Sequence, residues 1–176
     1  ILVGEIRDFE TASTAVAARL TGHTVFSTIH TNDAPSTVTR LVDMGVEPFL
    51  ITATLEAVVA QRLVRTICSD CKTAYEPEEE ILLDLGADAK HLEGASFWFG
   101  KGCERCHHTG YRGRTGIFEV LLMNQGLRRL VLRGVSIQEL REEAIRSGMR
   151  GLREAGLRAV LDGRTTIEEV LRETTV

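Results

Sequence analysis

Hydrophobic positions in the first part of the chain alternate between short apolar runs and stretches with helical spacing. The apolar, partly β-branched runs at residues 1–6 and 24–29 predict two strands. A helical pattern at residues 9–20 follows the first run, and a second begins after Asn32 and Asp33, which are both good N-cap residues. This order of strand, helix, strand and helix is typical of an α/β domain with a parallel sheet.

The middle of the chain changes character at residue 68. Before it, Pro48 begins a short helical pattern, and residues 57–67 favour a strand. From residue 68 to residue 113 the sequence is polar and rich in glycine, and residues 76–88 have the composition of a short helix. A strand pattern returns at residues 114–122.

The last part of the chain predicts only helices. They are separated by glycine-containing breaks and lie at residues 127–133, 137–147, 152–161 and 167–172. Two of them begin with a hydroxyl residue followed three positions later by a glutamate, which is the spacing of a capping box: Ser136 with Glu139, and Thr165 with Glu168.

Charge and hydropathy narrow the class of protein. The net charge of −4 gives no overall field that would attract nucleic acid or an anionic membrane. No apolar run approaches the roughly 20 residues of a membrane-spanning helix, and no signal sequence precedes the first strand, so we expect a soluble, cytosolic protein. Because the chain opens directly on an apolar strand, we also expect it to be a piece of a longer protein.

All four cysteines fall into two C-x-x-C pairs, Cys68 with Cys71 and Cys103 with Cys106. In a cytosolic chain, two such pairs predict a closed, structural Zn²⁺ site rather than a disulfide framework. The spacing between the pairs exceeds the usual interval of about 15–20 residues, so the inserted segment must fold as a lobe of its own. A redox-active dithiol, or replacement of one cysteine by His107 or His108, is an alternative.

Polar residues follow the first predicted strand in the sequence Gly4-Glu5-Ile6-Arg7-Asp8. A carboxylate at the carboxyl end of a parallel strand lies at the edge where α/β proteins bind ligands. In nucleotide hydrolases, a carboxylate at this edge holds Mg²⁺ or orients the attacking water. The alternative is an ordinary strand-to-helix turn in which Asp8 caps the helix and Glu5 is only solvated.

The second predicted strand ends in a comparable sequence, Thr28-Ile29-His30-Thr31-Asn32. If the two strands are neighbours, His30 and the carboxylate of Glu5 reach the same edge of the sheet. An imidazole there could bond a terminal phosphate or report its presence to a neighbouring element. The alternative is a capped helix after a strand, with His30 satisfied locally.

Four blocks of the sequence, in this order, resemble the ATPases of type II secretion and type IV pilus assembly: residues 4–15, 27–45, 60–72 and 102–121. The resemblance implies part of a RecA-like P-loop NTPase sheet from the Walker B strand onward, with Glu5 as the catalytic carboxylate and His30 as the centre of a histidine box. We predict further nucleotide contacts at Gly4, Arg7 and Thr28. Retraction ATPases are similar in the first blocks but lack the paired cysteines.

The resemblance also implies a biological setting. The parent protein would be a homo-hexamer that hydrolyses ATP with Mg²⁺. It would act on an inner-membrane platform protein, from a cytoplasmic position peripheral to the inner membrane. Three segments are predicted: the second half of the ATPase core at residues 1–67, the zinc lobe at residues 68–113, and a return strand with the C-terminal helical region at residues 114–176.

The sequence departs from the family pattern in one important respect. The phosphate-binding loop of the form G-x-x-x-x-G-K-[ST] is absent, and every lysine lies within the cysteine-containing segment. The backbone cradle, the phosphate-binding lysine and the Mg²⁺-binding hydroxyl of such a loop are therefore missing. We expect the isolated chain to be inactive.

A second hypothesis is that the chain is a zinc-ribbon module that binds nucleic acid or protein. It predicts a basic surface around the cysteines, to which Lys101, Arg105, Arg112 and Arg114 would contribute. This hypothesis leaves residues 1–45 unexplained, and for that reason we expect no DNA binding. Arg40 and Arg62 lie within the resembling blocks, but the sequence assigns them no role.

Overall fold

The computed structural model describes residues 1–85 and 94–174. Their chain folds into two compact units, residues 1–60 with 119–149 and residues 61–118 with 150–176. The strands are β1 (Leu2–Val3), β2 (Phe26–Ser27), β3 (Ala57–Ile67), β4 (Lys72–Tyr75), β5 (Phe97–Gly100) and β6 (Tyr111–Leu122). The helices are α1 (Phe9–Leu20), α2 (Ala34–Asp43), α3 (Pro48–Thr54), α4 (Glu79–Asp84), α5 (Gln125–Arg133), α6 (Ile137–Arg146), α7 (Leu152–Leu161) and α8 (Ile167–Thr174).

The first unit contains the parallel strand pair predicted from the sequence. β1 and β2 are parallel, with Leu2 opposite Phe26 and Val3 opposite Ser27. Both strands are shorter than predicted, and Leu2 and Phe26 are exposed rather than buried. The apolar runs were correctly assigned to strands, but within the described chain nothing packs over these two side chains.

Helices α1 to α3, α5 and α6 build the core of this unit. α1 begins after Asp8, whose side chain accepts a hydrogen bond from the backbone N–H of Thr11, and it has the predicted bounds. The buried side chains of the core come from all of these helices and from β6: Ala12, Ala34, Val38, Ile51, Leu121, Leu127, Val131, Leu140 and Ala144. The core thus brings residues after position 118 against the residues that follow β1 and β2 in sequence.

The second unit combines the cysteine-containing segment with the last two helices. β4 and β5 are antiparallel, with Ala74 opposite Trp98. Phe97 of β5 is buried with apolar residues of α7 and α8, including Leu157 and Val170. The short helix predicted at residues 76–88 is found as α4, and residues 86–88 of that prediction lie outside the described residues.

One predicted capping box is confirmed and the other is wrong. At α6, Ser136 and Glu139 form the reciprocal hydrogen bonds of a capping box. At α8, the hydroxyl of Thr165 instead donates to the carbonyl oxygen of Arg65 at 2.8 Å. Thr166, one residue later, accepts from the backbone N–H of Glu169. The cap of α8 therefore lies one residue later than predicted, because the hydroxyl of Thr165 bonds to the backbone of β3 instead.

Strands β3 and β6 pair with each other, and the boundary between the two units falls within both strands. The strand predicted at residues 57–67 has the observed bounds, whereas β6 begins three residues before the predicted position, at Tyr111. None of the helices in the described part of the chain has the length and apolar content that crossing a membrane requires.

Candidate functional site

The ends of β1 and β2 are tied together by hydrogen bonds beyond the last paired residues. The backbone N–H of Ile6 donates to the carbonyl oxygen of Thr28 at 2.8 Å. The hydroxyl of Thr28 donates in turn to the carbonyl oxygen of Gly4, also at 2.8 Å. The two sequences that follow the strands therefore leave the sheet side by side, as expected for neighbouring parallel strands.

Glu5 lies between two cationic or potentially cationic side chains. Its Oε2 atom is 2.6 Å from the guanidinium of Arg7, and its Oε1 atom is 2.9 Å from Nε2 of His30. The hydrogen bond from Arg7 lowers the pKa of Glu5, helped by the charges of Arg7 and His30 and opposed by burial. Glu5 is therefore an ionised carboxylate at neutral pH.

The two oxygens of Glu5 differ in their hydrogen bonding. Oε2 is engaged by Arg7, whereas Oε1 is a buried atom that accepts no hydrogen bond from the described residues. The imidazole of His30 approaches Oε1 closely but without hydrogen-bond geometry. Most buried carboxylate oxygens accept a hydrogen bond, so Oε1 is an exception among the described residues.

The surroundings of this carboxylate are open on one side. The side chain of His30 is 89% exposed, and a Cβ atom placed on Gly4 would meet no atom within 4 Å. The structure thus brings together Gly4, Glu5, Arg7, Thr28 and His30, all of which the sequence singled out. Their roles in nucleotide binding and catalysis stay predictions.

Asp33, at the start of α2, anchors the far end of the loop that carries His30. The Oδ1 atom of Asp33 accepts from the backbone N–H of Ser36 at 2.8 Å, so Asp33 is the N-cap of α2. Its Oδ2 atom accepts a hydrogen bond from the guanidinium of Arg141 on α6. The backbone N–H of Ala34 donates to Oε1 of Glu119 on β6 at 2.7 Å.

Sequence reasoning found the cap but missed Glu119 and Arg141. One signal for Glu119 was present: in β6, Ile117, Glu119 and Leu121 are buried while Phe118 and Val120 are exposed. A charged residue at an inward position of an alternating strand needs a buried partner. No comparable signal marked Arg141, because its partner lies far away in sequence.

The four cysteines are gathered into one cluster, with their sulfur atoms within 4.8 Å of one another. The Sγ atoms of Cys68 and Cys103 are 3.9 Å apart, as are those of Cys71 and Cys106, and those of Cys103 and Cys106 are 3.7 Å apart. Tetrahedral coordination with Zn–S bonds of about 2.3 Å places sulfur atoms about 3.8 Å apart. The donor set and its spacing therefore fit a tetrahedral metal ion.

The backbone around the cysteines supports ligation by thiolate. The N–H groups of Cys103 and Gly110 donate to the Sγ atom of Cys106 at 3.2 and 3.3 Å. Burial alone would raise the pKa of Cys106, but these donors and the neighbouring thiols lower it to about 6, whereas burial raises the pKa of Cys71 to about 12. All four residues are free thiols. His107 and His108 follow in left-handed backbone conformations and do not belong to the cluster found among the described residues.

Solved structures with a similar fold confirm the architecture of the chain. The match to the crystal structure of the pilus retraction motor PilT with bound ADP covers all of this chain and 39% of the PilT chain, with a TM-score of 0.65 and 23% identity. The match to the X-ray structure of the ATPase DotB of Legionella pneumophila covers 97% of this chain and 37% of the DotB chain, with a TM-score of 0.64 and 21% identity. The chain therefore shares the α/β fold of these two solved structures.

A family model described as "Type II/IV secretion system protein" matches residues 1–172, and the chain belongs to this family. It is 51% identical to the type IV pilus assembly ATPase PilB of Myxococcus xanthus, covering 99% of the chain and 31% of that protein. It is 49% identical to the type II secretion system ATPase E of Vibrio cholerae, covering 99% of the chain and 34% of that protein. The chain thus spans about a third of the length of these relatives.

Proposed function

We propose that this chain supplies the catalytic carboxylate and the phosphate-sensing histidine of a hexameric ATPase that powers pilus assembly or type II secretion. The observation that carries the proposal is the approach of His30 to Glu5 at 2.9 Å, at the joined ends of two parallel strands. The names of relatives that are about half identical to the chain support the motor role. These relatives are assembly and secretion ATPases, in keeping with the paired cysteines.

In this proposal, Glu5 orients the water that attacks the terminal phosphate. Its ionised state, held by Arg7, lets it accept a proton from that water. Bound ATP with Mg²⁺ supplies the phosphoanhydride and the charge neutralisation of phosphoryl transfer. Gly4 has no side chain and leaves room for the nucleotide at this edge, and Thr28 lines the edge. His30 donates a hydrogen bond to the terminal phosphate from its exposed position.

Hydrolysis by this mechanism needs groups that this chain does not contain. No G-x-x-x-x-G-K-[ST] sequence occurs in it, so this chain offers the phosphates neither the glycine-rich backbone cradle nor the phosphate-binding lysine of that loop. We therefore propose that the isolated chain is inactive and that the complete protein, as a homo-hexamer, is the enzyme.

We further propose that the four cysteines bind one structural Zn²⁺ ion. Four thiolates close the tetrahedral shell and leave no position for substrate, so the ion would stabilise the fold rather than take part in hydrolysis. Residues 68–113 are polar, and binding free energy from the metal would help them fold.

The partners follow from the proposed role. A motor of this kind would act from the cytoplasm on an inner-membrane platform protein of the pilus or secretion machine. The alternative of a nucleic-acid-binding zinc ribbon is less well supported, because the guanidinium of Arg105 is paired with Asp70 at 2.8 Å. The net charge of −4 likewise favours no polyanion.

The test is steady-state phosphate release by the complete protein, by its His30→Ala variant and by the isolated chain. We expect ATP turnover by the complete protein, a fall in turnover with retained nucleotide binding for His30→Ala, and no turnover by the isolated chain. Turnover by the isolated chain would mean that the phosphates bind elsewhere. A complete protein that hydrolyses no ATP would refute the motor role.

A further inference from the structure

The loop that carries His30 is fixed at both of its ends. At the first end, Thr28 is bonded to Gly4. At the second end, Asp33 caps α2. Between them, the hydroxyl of Thr31 is 2.8 Å from that of Thr37. The contacts of Thr28 and Asp33 therefore help to set the position of His30.

Asp33 is a buried charge whose compensating cation comes from another helix. Only 4% of Asp33 is exposed. The Ser36 backbone and hydroxyl satisfy Oδ1, and the guanidinium of Arg141 on α6 satisfies Oδ2. Since an unpaired buried carboxylate is strongly unfavourable, loss of Arg141 would leave Asp33 with only the hydrogen bonds from Ser36 to offset its burial.

A second buried carboxylate lies at the same end of α2. Glu119, which is 1% exposed, accepts a hydrogen bond from the backbone N–H of Ala34. Two carboxylates thus lie at the N-terminus of α2, where the helix dipole favours negative charge only weakly. Arg141 adds the full positive charge that the helix end itself does not provide.

We propose that Arg141 is a positioning residue for His30 in ATP hydrolysis, acting through its ion pair with Asp33. The inference rests on the function proposed above. Arg141 holds Asp33, Asp33 fixes the start of α2, and only two residues separate Asp33 from His30. A displacement of α6 along this path moves the histidine relative to Glu5, so the helix takes part in setting the catalytic geometry.

The exposure of His30 makes this control effective. Its side chain is 89% exposed and touches Glu5 without hydrogen-bond geometry, so local packing does not hold the ring. A reacting group misplaced by about 1 Å lowers a rate by up to about a hundredfold. Loss of the Asp33–Arg141 pair should therefore affect turnover more than nucleotide binding.

The test uses the complete protein with Arg141→Gln, Arg141→Lys and Asp33→Asn. Asparagine is as good an N-cap as aspartate, so Asp33→Asn keeps the cap of α2 and removes the ion pair. We expect Arg141→Gln and Asp33→Asn to lower kcat by about tenfold or more with KM within about twofold, and Arg141→Lys to recover part of the loss. The matched control is Arg146→Gln, because Arg146 on the same helix pairs with Glu143 at the surface.

A double-mutant cycle separates positioning from a general loss of stability. If Arg141 acts through His30, the variant with both His30→Ala and Arg141→Gln will have the kcat of His30→Ala alone. Losses that multiply, or an unchanged kcat in Arg141→Gln and Asp33→Asn, would overturn the inference while the unsubstituted protein still hydrolyses ATP. Absence of hydrolysis in the unsubstituted protein would overturn the proposed function and this role together.

Discussion

The hydroxyl of Thr28 donates to the carbonyl oxygen of Gly4 at 2.8 Å. This bond joins the residue before the proposed catalytic carboxylate to the loop that carries His30. It lies just beyond the paired residues of β1 and β2, where the sheet itself no longer fixes the two chains. A side chain of the histidine segment thus helps to align Glu5 and His30.

Replacement of Thr28 should separate alignment from folding. In the complete protein, we expect Thr28→Val to lower kcat by about tenfold, because it removes the hydroxyl and keeps the β-branched shape. Thr28→Ser keeps the donor and should retain most of the activity. The measurement is steady-state ATP turnover, with thermal unfolding as the control for stability. Equal turnover in the valine and serine variants would contradict an aligning role.

Glu169 on α8 is expected to be essential for the stability of the second unit. It is 1% exposed, and its oxygens accept from the backbone N–H and the guanidinium of Arg65. Glu169→Ala should lower the free energy of unfolding by about 3 kcal/mol. This is the lower end of the range for a broken buried ion pair, because Arg65 is partly exposed and water can solvate it. Glu154→Ala, at an exposed ion pair on α7, should cost less than about 1 kcal/mol. Equal losses in urea unfolding would contradict this assignment.

The same carboxylate should make stability depend on pH. Burial alone would raise the pKa of Glu169, but hydrogen bonds and charge from Arg65 and the charge of Arg172 lower it below the usual value. A lowered folded-state pKa contributes stability above the unfolded pKa of about 4.3, and this stability is lost as pH falls through the folded value. We expect the stability difference between the unsubstituted protein and Glu169→Gln to shrink below about pH 4. A difference that stays constant from pH 7 to pH 3 would contradict this.

Metal analysis tests the four-cysteine site. Protein purified without chelator should contain one Zn²⁺ ion per chain, since the Sγ distances of 3.7–3.9 Å match a tetrahedral shell. Cys106→Ser should lose most of the metal and lower the unfolding temperature. His107→Ala, beside a ligand but outside the cluster, should keep both. Full zinc content in Cys106→Ser, or its loss in His107→Ala, would mean that the ligand set is different.

Local patterns predicted much of the secondary structure and of the site. The bounds of α1 followed from a cap, an apolar period and a stop within one short segment, and the cysteine cluster followed from two C-x-x-C pairs. The approach of Glu5 to His30 required one further assumption, that the two strands are neighbours and parallel. Each of these inferences uses residues that are close in sequence or a general rule of sheet topology.

The remaining features depend on contacts between distant segments. Arg141 reaches Asp33, Glu119 reaches Ala34, and Thr165 reaches Arg65, and no local spacing predicts these pairs. The predicted segments were divided by composition, whereas the compact units each combine two separated stretches of chain through such contacts. The three functional segments stay a prediction.

The central claim, that Glu5 is the catalytic carboxylate, is tested most directly by Glu5→Gln in the complete protein. Nucleotide binding and single-turnover hydrolysis would be measured on the same preparations, with Glu10→Gln on α1 as the control for a nearby carboxylate. We expect Glu5→Gln to bind ATP with affinity close to that of the unsubstituted protein and to hydrolyse it at least about a hundredfold more slowly. Hydrolysis by Glu5→Gln at nearly the unsubstituted rate would contradict it.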